Sequence, residues 1–174
     1  AKREYKALTF DFKRAFDGKR GLQGSYVWSQ LKGNYNGTVT EYGNSVQTDA
    51  GATYAWDSPG MENYGSGILP GNRDHTVKLF GSYAVTPSLL VGANVLIQSP
   101  ERFSCLGLNA DDDYAYGYGD VSHYCDGKPA QLGEGLESSW LHTIDVALRY
   151  TVPTQYAMGG KLTLRADIFN LFDQ

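Results

Sequence analysis

The sequence predicts an all-β fold: an antiparallel, up-and-down segment of a transmembrane β-barrel, about six strands wide and incomplete. Three observations carry this. Apolar and polar residues alternate over six separate stretches of the chain. Short turns and very long loops take turns between those stretches. Aromatic side chains fall near the stretch ends.

Successive side chains of a strand point to opposite faces, so alternation marks a strand with one apolar face. Residues 5–16 set Leu8, Phe10 and Phe12 against Ala7, Thr9, Asp11 and Lys13. Residues 22–31 set Leu22, Gly24, Tyr26 and Trp28 against Gln23, Ser25 and Ser29. Residues 75–85 set Val77, Leu79, Gly81, Tyr83 and Val85 against Thr76, Lys78 and Ser82. Residues 89–98 set Leu89, Val91, Ala93, Val95 and Ile97 against Asn94 and Gln98, with Leu90 and Leu96 breaking the polar side. Residues 140–150 set Trp140, Ile144, Val146, Leu148 and Tyr150 against Thr143, Asp145 and Arg149. Residues 161–172 open with Leu162, Leu164, Ala166 and Ile168 against Lys161, Thr163, Arg165 and Asp167.

Three connections are short. FDGKRG carries the Asp17-Gly18 turn signal, Thr86-Pro87-Ser88 forms the second turn, and the third runs from Pro153 to Gly160. The other two are long, at residues 32–74 and 99–137. Structureless loops beyond about 12–15 residues are uncommon in compact soluble domains. Their regular alternation with tight turns matches an outer-membrane barrel, with long loops on the extracellular side.

Phe16, Tyr26, Trp28, Tyr83, Trp140 and Tyr150 sit where interfacial girdles belong. Asp11, Lys13, Lys78, Asp145, Arg149, Arg165 and Asp167 are then expected to face a polar lumen. A soluble sandwich with the charges on its solvent face explains the alternation equally well, and the loop asymmetry less well. Six strands spaced about 4.8 Å apart span only roughly 29 Å of arc, too little to close. Membrane barrels start at about eight strands. The chain is therefore expected to oligomerise or to be part of a larger barrel.

The composition fits β structure with polar loops: Gly 21 and Tyr 13 of 174 residues, with a mean hydropathy of -0.39. A net charge of -4 gives no basis for nucleic-acid binding. The opening AKREYKALTF has charges but no apolar core of a signal peptide, and no initiator Met. It reads as a mature product or a piece of a longer chain. No run of about 18 apolar residues marks a membrane helix.

YKALTFDFKRAFDGKRGLQGSYVWSQLKGNYNG, GNRDHTVKLFGSYAVTPSLLVGANVLIQS and LTLRADIFNLFDQ together resemble the C-terminal barrel of TonB-dependent outer-membrane receptors, in particular the Oar-like group. NLFD at Asn170–Asp173 looks like that family's asparagine-leucine-phenylalanine signature after a late strand. The resemblance implies an outer-membrane location in a Gram-negative cell. It implies uptake of a scarce nutrient, whether metal chelate, saccharide or peptide. The implied partners are outer-membrane lipid, the rest of the barrel and its plug, TonB through an N-terminal region, and an extracellular ligand. It also implies that a loop and a last strand follow Gln174. No cofactor and no metal are expected.

Cys105 and Cys125 share the second long loop, and an even pair in an oxidising compartment predicts a disulfide. Free thiols or a metal site with His123 are the other readings. Asp111-Asp112-Asp113 with Asp120 is expected to be a solvated acidic loop rather than a calcium site. Tyr54, Trp56, Tyr64, Tyr114, Tyr116 and Tyr118 are ligand-contact candidates, because Tyr and Trp give large contact area at low entropic cost. Self-packing of the loops is the competing reading. No His lies in a nucleophile motif, so no catalytic residue is expected. A small ligand-binding β protein and an outer-membrane barrel enzyme are the alternative functions.

Overall fold

The computed structural model describes residues 1–35, 40–42, 45–47, 59–113, 117, 122–157 and 159–172. Its main sheet has the two-residue strand Gly67–Ile68, paired with the end of the second long strand, and six long strands: β1 (Arg3–Arg14), β2 (Arg20–Gly33), β3 (His75–Ala84), β4 (Leu89–Gln98), β5 (Leu141–Thr151) and β6 (Thr163–Ile168). The six long strands pair in chain order, the pattern of an up-and-down sheet. Among the described residues β1 has only β2 beside it and β6 only β5. The sheet is therefore open at both ends and forms an incomplete barrel segment.

The chain divides into two compact units. The sheet unit holds Leu8–Trp28, Asp74–Ser99 and Trp140–Gln174; the loop unit holds Ala1–Ala7, Ser29–Arg73 and Pro100–Ser139.

Within the sheet unit, register settles which residues share a face, because directly opposed residues of an antiparallel pair do. Leu79 opposes Gly24 and Val95, and Val95 opposes Ile144. Tyr83 opposes Val91, Val91 opposes Leu148, and Leu148 opposes Ala166. Phe10 stacks on Tyr26 at 6.3 Å, which places the even residues of β1 on the same side. One face is thus apolar across all six strands. The opposite face carries Lys78, Asn94, Asp145, Arg149, Arg165 and Asp167. Phe80 also lies there, opposite Gln23 and Asn94, an apolar residue that simple alternation overlooks.

No large hydrophobic side chain of the sheet unit is buried among the described residues. Phe10 is 57 % exposed, Leu164 55 % and Phe12 48 %. A soluble sheet buries such a face against a second layer; this one leaves it exposed on the edge strands and mostly half-buried on the central ones.

The turns follow from local chemistry. Asp17 Oδ1 accepts the Lys19 and Arg20 amides at 3.0 and 2.9 Å, and Arg14 donates to Oδ2 at 2.7 Å. The Arg20 amide first, then the Arg14 guanidinium and the Lys19 amide, hold the Asp17 carboxyl well below the usual range. Gly18 supplies the left-handed residue at φ 94° that this turn needs. In the second turn, Thr86 Oγ1 accepts the Ser88 and Leu89 amides. The last strand is shorter than residues 161–172, the predicted span. It ends at Ile168 because Asn170 takes a left-handed conformation, φ 50°, that no strand continues through.

The long connections are not structureless, which corrects the sequence reading of them. Antiparallel pairs form between Thr40–Tyr42 and Ser45–Gln47, between Arg102–Ser104 and Gly135–Glu137, and between Tyr124–Cys125 and Lys128–Pro129. The buried hydrophobic residues Met61, Ile68, Leu69, Ala130 and Leu132 all belong to the loop unit. Ile68 donates its amide to Leu132, and Leu132 donates to Tyr64, both at 2.9 Å. Gly133, at φ 79°, lets the backbone pass directly over the Ile68 carbonyl, where any Cβ would collide.

Candidate functional site

The polar face of the sheet unit has a hollow of ≈ 530 Å³. A cross-strand row of small residues makes it: Gly21 opposes Ser82, Ser82 opposes Gly92, and Gly92 opposes Ala147. The next row in, Gln23–Phe80–Asn94–Asp145, forms one wall, and Lys13, Arg165 and Asp167 also line it. Arg165 turns onto Asp167, with Nε 2.8 Å from Oδ2. That contact relieves the direct opposition of Arg165 to Arg149, a like-charge pair that is otherwise unfavourable. Of the charges expected to share a face, Lys78, Asp145, Arg149, Arg165 and Asp167 are placed together by register. Lys13 lines the same hollow, and Asp11 falls on that side of β1 by its odd position opposite the Phe10 side.

Asp145 is the node of this surface. Asn94 Nδ2 donates to its Oδ2 at 3.1 Å, and the Asn170 amide donates to its Oδ1 at 2.9 Å. The Leu171 amide adds a 2.8 Å bond to the Ile144 carbonyl. The asparagine-leucine-phenylalanine segment is therefore tied back onto β5 by a carboxylate at its root. Asp145→Ala is expected to cost about 1–3 kcal/mol, since it leaves the Asn94 amide and the Asn170 N–H without their acceptor. Asp145→Asn, which keeps one acceptor oxygen, should cost less. Urea unfolding of the full-length protein in detergent measures the difference, and equal costs would contradict the role of the carboxylate.

In the loop unit, Cys105 and Cys125 are joined in a disulfide, with Cα atoms 5.4 Å apart. Closing a loop of 20 residues in this way stabilises the unit by about 3 kcal/mol on the chain-entropy estimate. Both sulfurs are thereby removed from any metal site with His123. A second tie went unread in the sequence. Glu101 accepts Arg73 Nη2 at 3.0 Å and the Gly71 amide at 2.6 Å, while its own amide donates to Ser138 Oγ at 2.9 Å. The Arg73 carbonyl accepts the Ser29 hydroxyl at 2.8 Å, and Asn72, almost fully buried, accepts the Leu31 amide. One short stretch, Gly71–Arg73, thus links the end of β2 to the start of the second long loop.

Of the ligand-contact candidates, Tyr64 is described; Tyr54, Trp56, Tyr114, Tyr116 and Tyr118 lie outside the described residues, as does Asp120. Tyr64 holds a left-handed backbone, φ 61°, and its ring meets Tyr124 edge-on at 6.4 Å. Beside these rings lies a second hollow of ≈ 350 Å³, lined by Asn63, Tyr64, Asn109, Ser122 and Tyr124. In the acidic run, the Asp111 amide donates to Asn109 Oδ1 at 3.0 Å, an ordinary turn.

His123 is buried beside this hollow's Ser122. Desolvation holds its imidazole below the ordinary value, against the opposing effect of a hydrogen bond with the Met61 backbone. The unfolded chain takes up a proton near pH 6.5, whereas the folded loop unit does so only at lower pH. Stability is then complete above pH 6.5 and falls as the pH drops from there toward the folded value. Limited proteolysis of the loop unit should accelerate between pH 7.5 and 5.5, and His123→Gln should flatten that dependence.

No family model matches the chain, and no solved structure matches it. It is 27% identical over 175 residues to the TonB-dependent transporter Oar of Myxococcus xanthus. The match takes in 98% of this chain and 15% of the length of that relative. The similarity is that of a distant relation to one stretch of a TonB-dependent transporter.

Proposed function

We propose that this chain is a segment of an outer-membrane β-barrel and that the parent protein is a TonB-dependent transporter. The single observation behind the reading is the bare apolar face. Six paired strands leave their described Leu, Val, Ile and Phe side chains exposed or half-buried and bury none of them fully. In lipid that face is solvated by acyl chains, and the energetic deficit of an uncovered sheet disappears. The two open edges are completed by the remaining barrel strands, which satisfies their amides.

On this reading the charged face lines the barrel interior against a plug, and the loop unit stands on the extracellular side. Trp28 and Trp140 belong to the girdle near the loops, Tyr83 and Tyr150 to the one near the turns. A transport role is supported by the distant relative, a TonB-dependent transporter, and a nutrient is the cargo we propose. TonB would act through a part of the parent protein outside this chain. A deletion strain should lose accumulation of one nutrient, and a strain lacking TonB should show the same loss. The reading fails if the full-length protein is found monodisperse in water without detergent, or if the nutrient enters equally well without TonB.

A further inference from the structure

We infer that the ≈ 530 Å³ hollow on the polar face seats an extended, acidic segment of the parent polypeptide from outside this chain, with a carboxylate on Lys13. Such a seat rests on the barrel reading, which turns this face toward the rest of its own protein.

The shape of the hollow selects an elongated occupant. Lys13 of β1 and Arg165 of β6 both line it, as do residues of every long strand between them. From β1 to β6 there are five strand spacings of about 4.8 Å, roughly 24 Å along the sheet. An extended chain rises about 3.3 Å per residue, so about seven residues cover that distance. The small row Gly21–Ser82–Gly92–Ala147 keeps the floor low enough for a backbone to lie across the strands. The hollow also lies nearer the tight turns than the long loops: Gly21 is the second residue of β2, and Ser82 the third from the end of β3. A solute arriving from the loop side has most of the strand length to cross first. A segment of the same polypeptide is already there. The chain covers 15% of the length of its TonB-dependent relative, so a protein of that length has other segments to supply one.

Charge selects an acid. Around the hollow, Arg14 pairs with Asp17 at 2.7 Å and Arg165 with Asp167 at 2.8 Å, while Asp145 accepts from Asn94 and Asn170. Lys13 makes no ion pair or hydrogen bond among the described residues. The same holds for Lys78 and Arg149 on this face, and for Asp11 among its acids. Three uncommitted cations against one carboxylate leave a surplus that an acidic segment neutralises and a basic one does not. The rings nearby select an apolar side chain as well. Phe80 and Phe169 line the hollow, yet they are 54 % and 76 % exposed. Lipid meets the opposite face, so an apolar side chain of the segment is what takes these rings out of water. Gln23 and Ser82, also in the lining, make no side-chain hydrogen bond among the described residues and can bond the backbone of the segment.

The test is zero-length carbodiimide cross-linking of the full-length protein in outer-membrane vesicles, followed by digestion and mass spectrometry. Carbodiimide joins an ammonium group to a carboxylate in contact with it, as an amide with loss of water. Lys13 is expected to be joined to an Asp or Glu of the same polypeptide outside residues 1–174. Lys13→Arg keeps the charge but cannot react this way, so the cross-linked peptide should vanish while resistance to proteinase K stays unchanged. Lys13→Glu reverses the charge and should make the segment carrying that acid roughly tenfold more sensitive to proteinase K. Ser82→Trp raises the floor of the hollow and should loosen the segment similarly without altering any charge. Amide protection of β4 and β5 should hold in both variants. The inference is overturned if Lys13 stays unreacted, if it joins only to acids of this chain, Asp11 and Asp173 included, or if it joins to another protein. It is also overturned if neither Lys13→Glu nor Ser82→Trp loosens the segment. A cross-link to another protein, in a receptor whose uptake still needs TonB, would discard the segment and keep the transporter reading. The expected cross-link in a protein whose uptake needs no TonB would do the reverse.

Discussion

Val95→Arg in the full-length barrel is expected to cost about 2–4 kcal/mol, the value for a guanidinium on the lipid face near the midplane. Val95 opposes Leu79 on one side and Ile144 on the other, in the middle of the apolar face. Leu164 shares that face but opposes Tyr150, in a row close to the turns. Arg there can reach the headgroups, so Leu164→Arg should cost only about 0–1 kcal/mol. Val91, between these rows, should fall between these values. The polar face gives the control. Asn94→Arg breaks one hydrogen bond to Asp145 but sets a cation beside that carboxylate. It should cost no more than about 1 kcal/mol. The measurement is unfolding from lipid vesicles by guanidinium chloride. Equal losses at Val95 and Asn94 would overturn the facing, and equal losses at Val95 and Leu164 would overturn the depth order.

Which residues share a face was legible in the sequence because it depends only on a strand's period of two. Once Val91, Ala93, Val95 and Ile97 alternate with partners in a neighbour, pairing must keep every apolar residue on one side or lose all of them together. The tight turns were legible for a similar reason, since Asp17-Gly18 encodes its own geometry. What could not be read is whatever joins residues distant in the chain without a repeating signal. Asp145 and Asn170 meet only because β6 returns beside β5, and the polar pattern marked Asp145 as one more charge. Glu101 and Arg73 sit in stretches without periodicity, so nothing announced their ion pair. Phe80 was hidden by the alternation itself, which assigns position and not chemistry. Among the tyrosines, composition flagged a class, and the left-handed backbone at Tyr64 carries no sequence signal. The hydrophobic core of the loops was missed altogether, because Met61, the Ile68-Leu69 pair and Leu132 are scattered among glycines and polar residues without a period.

That core is where the other large effect is expected. Leu69 is fully buried, and Leu69→Ala should cost about 2–5 kcal/mol through lost transfer energy and the cavity left behind. Met61, Ile68, Ala130 and Leu132 are the other buried hydrophobic residues described, too few to close around such a gap. The unit is therefore expected to open locally rather than relax. Hydrogen exchange reads this directly. The Ile68 and Leu132 amides, bonded to the Leu132 and Tyr64 carbonyls, should lose protection by a factor of about 30 or more. Amides of β4 and β5, held in their own ladder, should not change. The disulfide limits how far the opened loop can expand, so reducing Cys105–Cys125 in the Leu69→Ala protein should deepen the loss further. If β4 and β5 lose protection together with Ile68, the loop core and the sheet fold as one cooperative body, and the separate stability assigned to the loops is wrong.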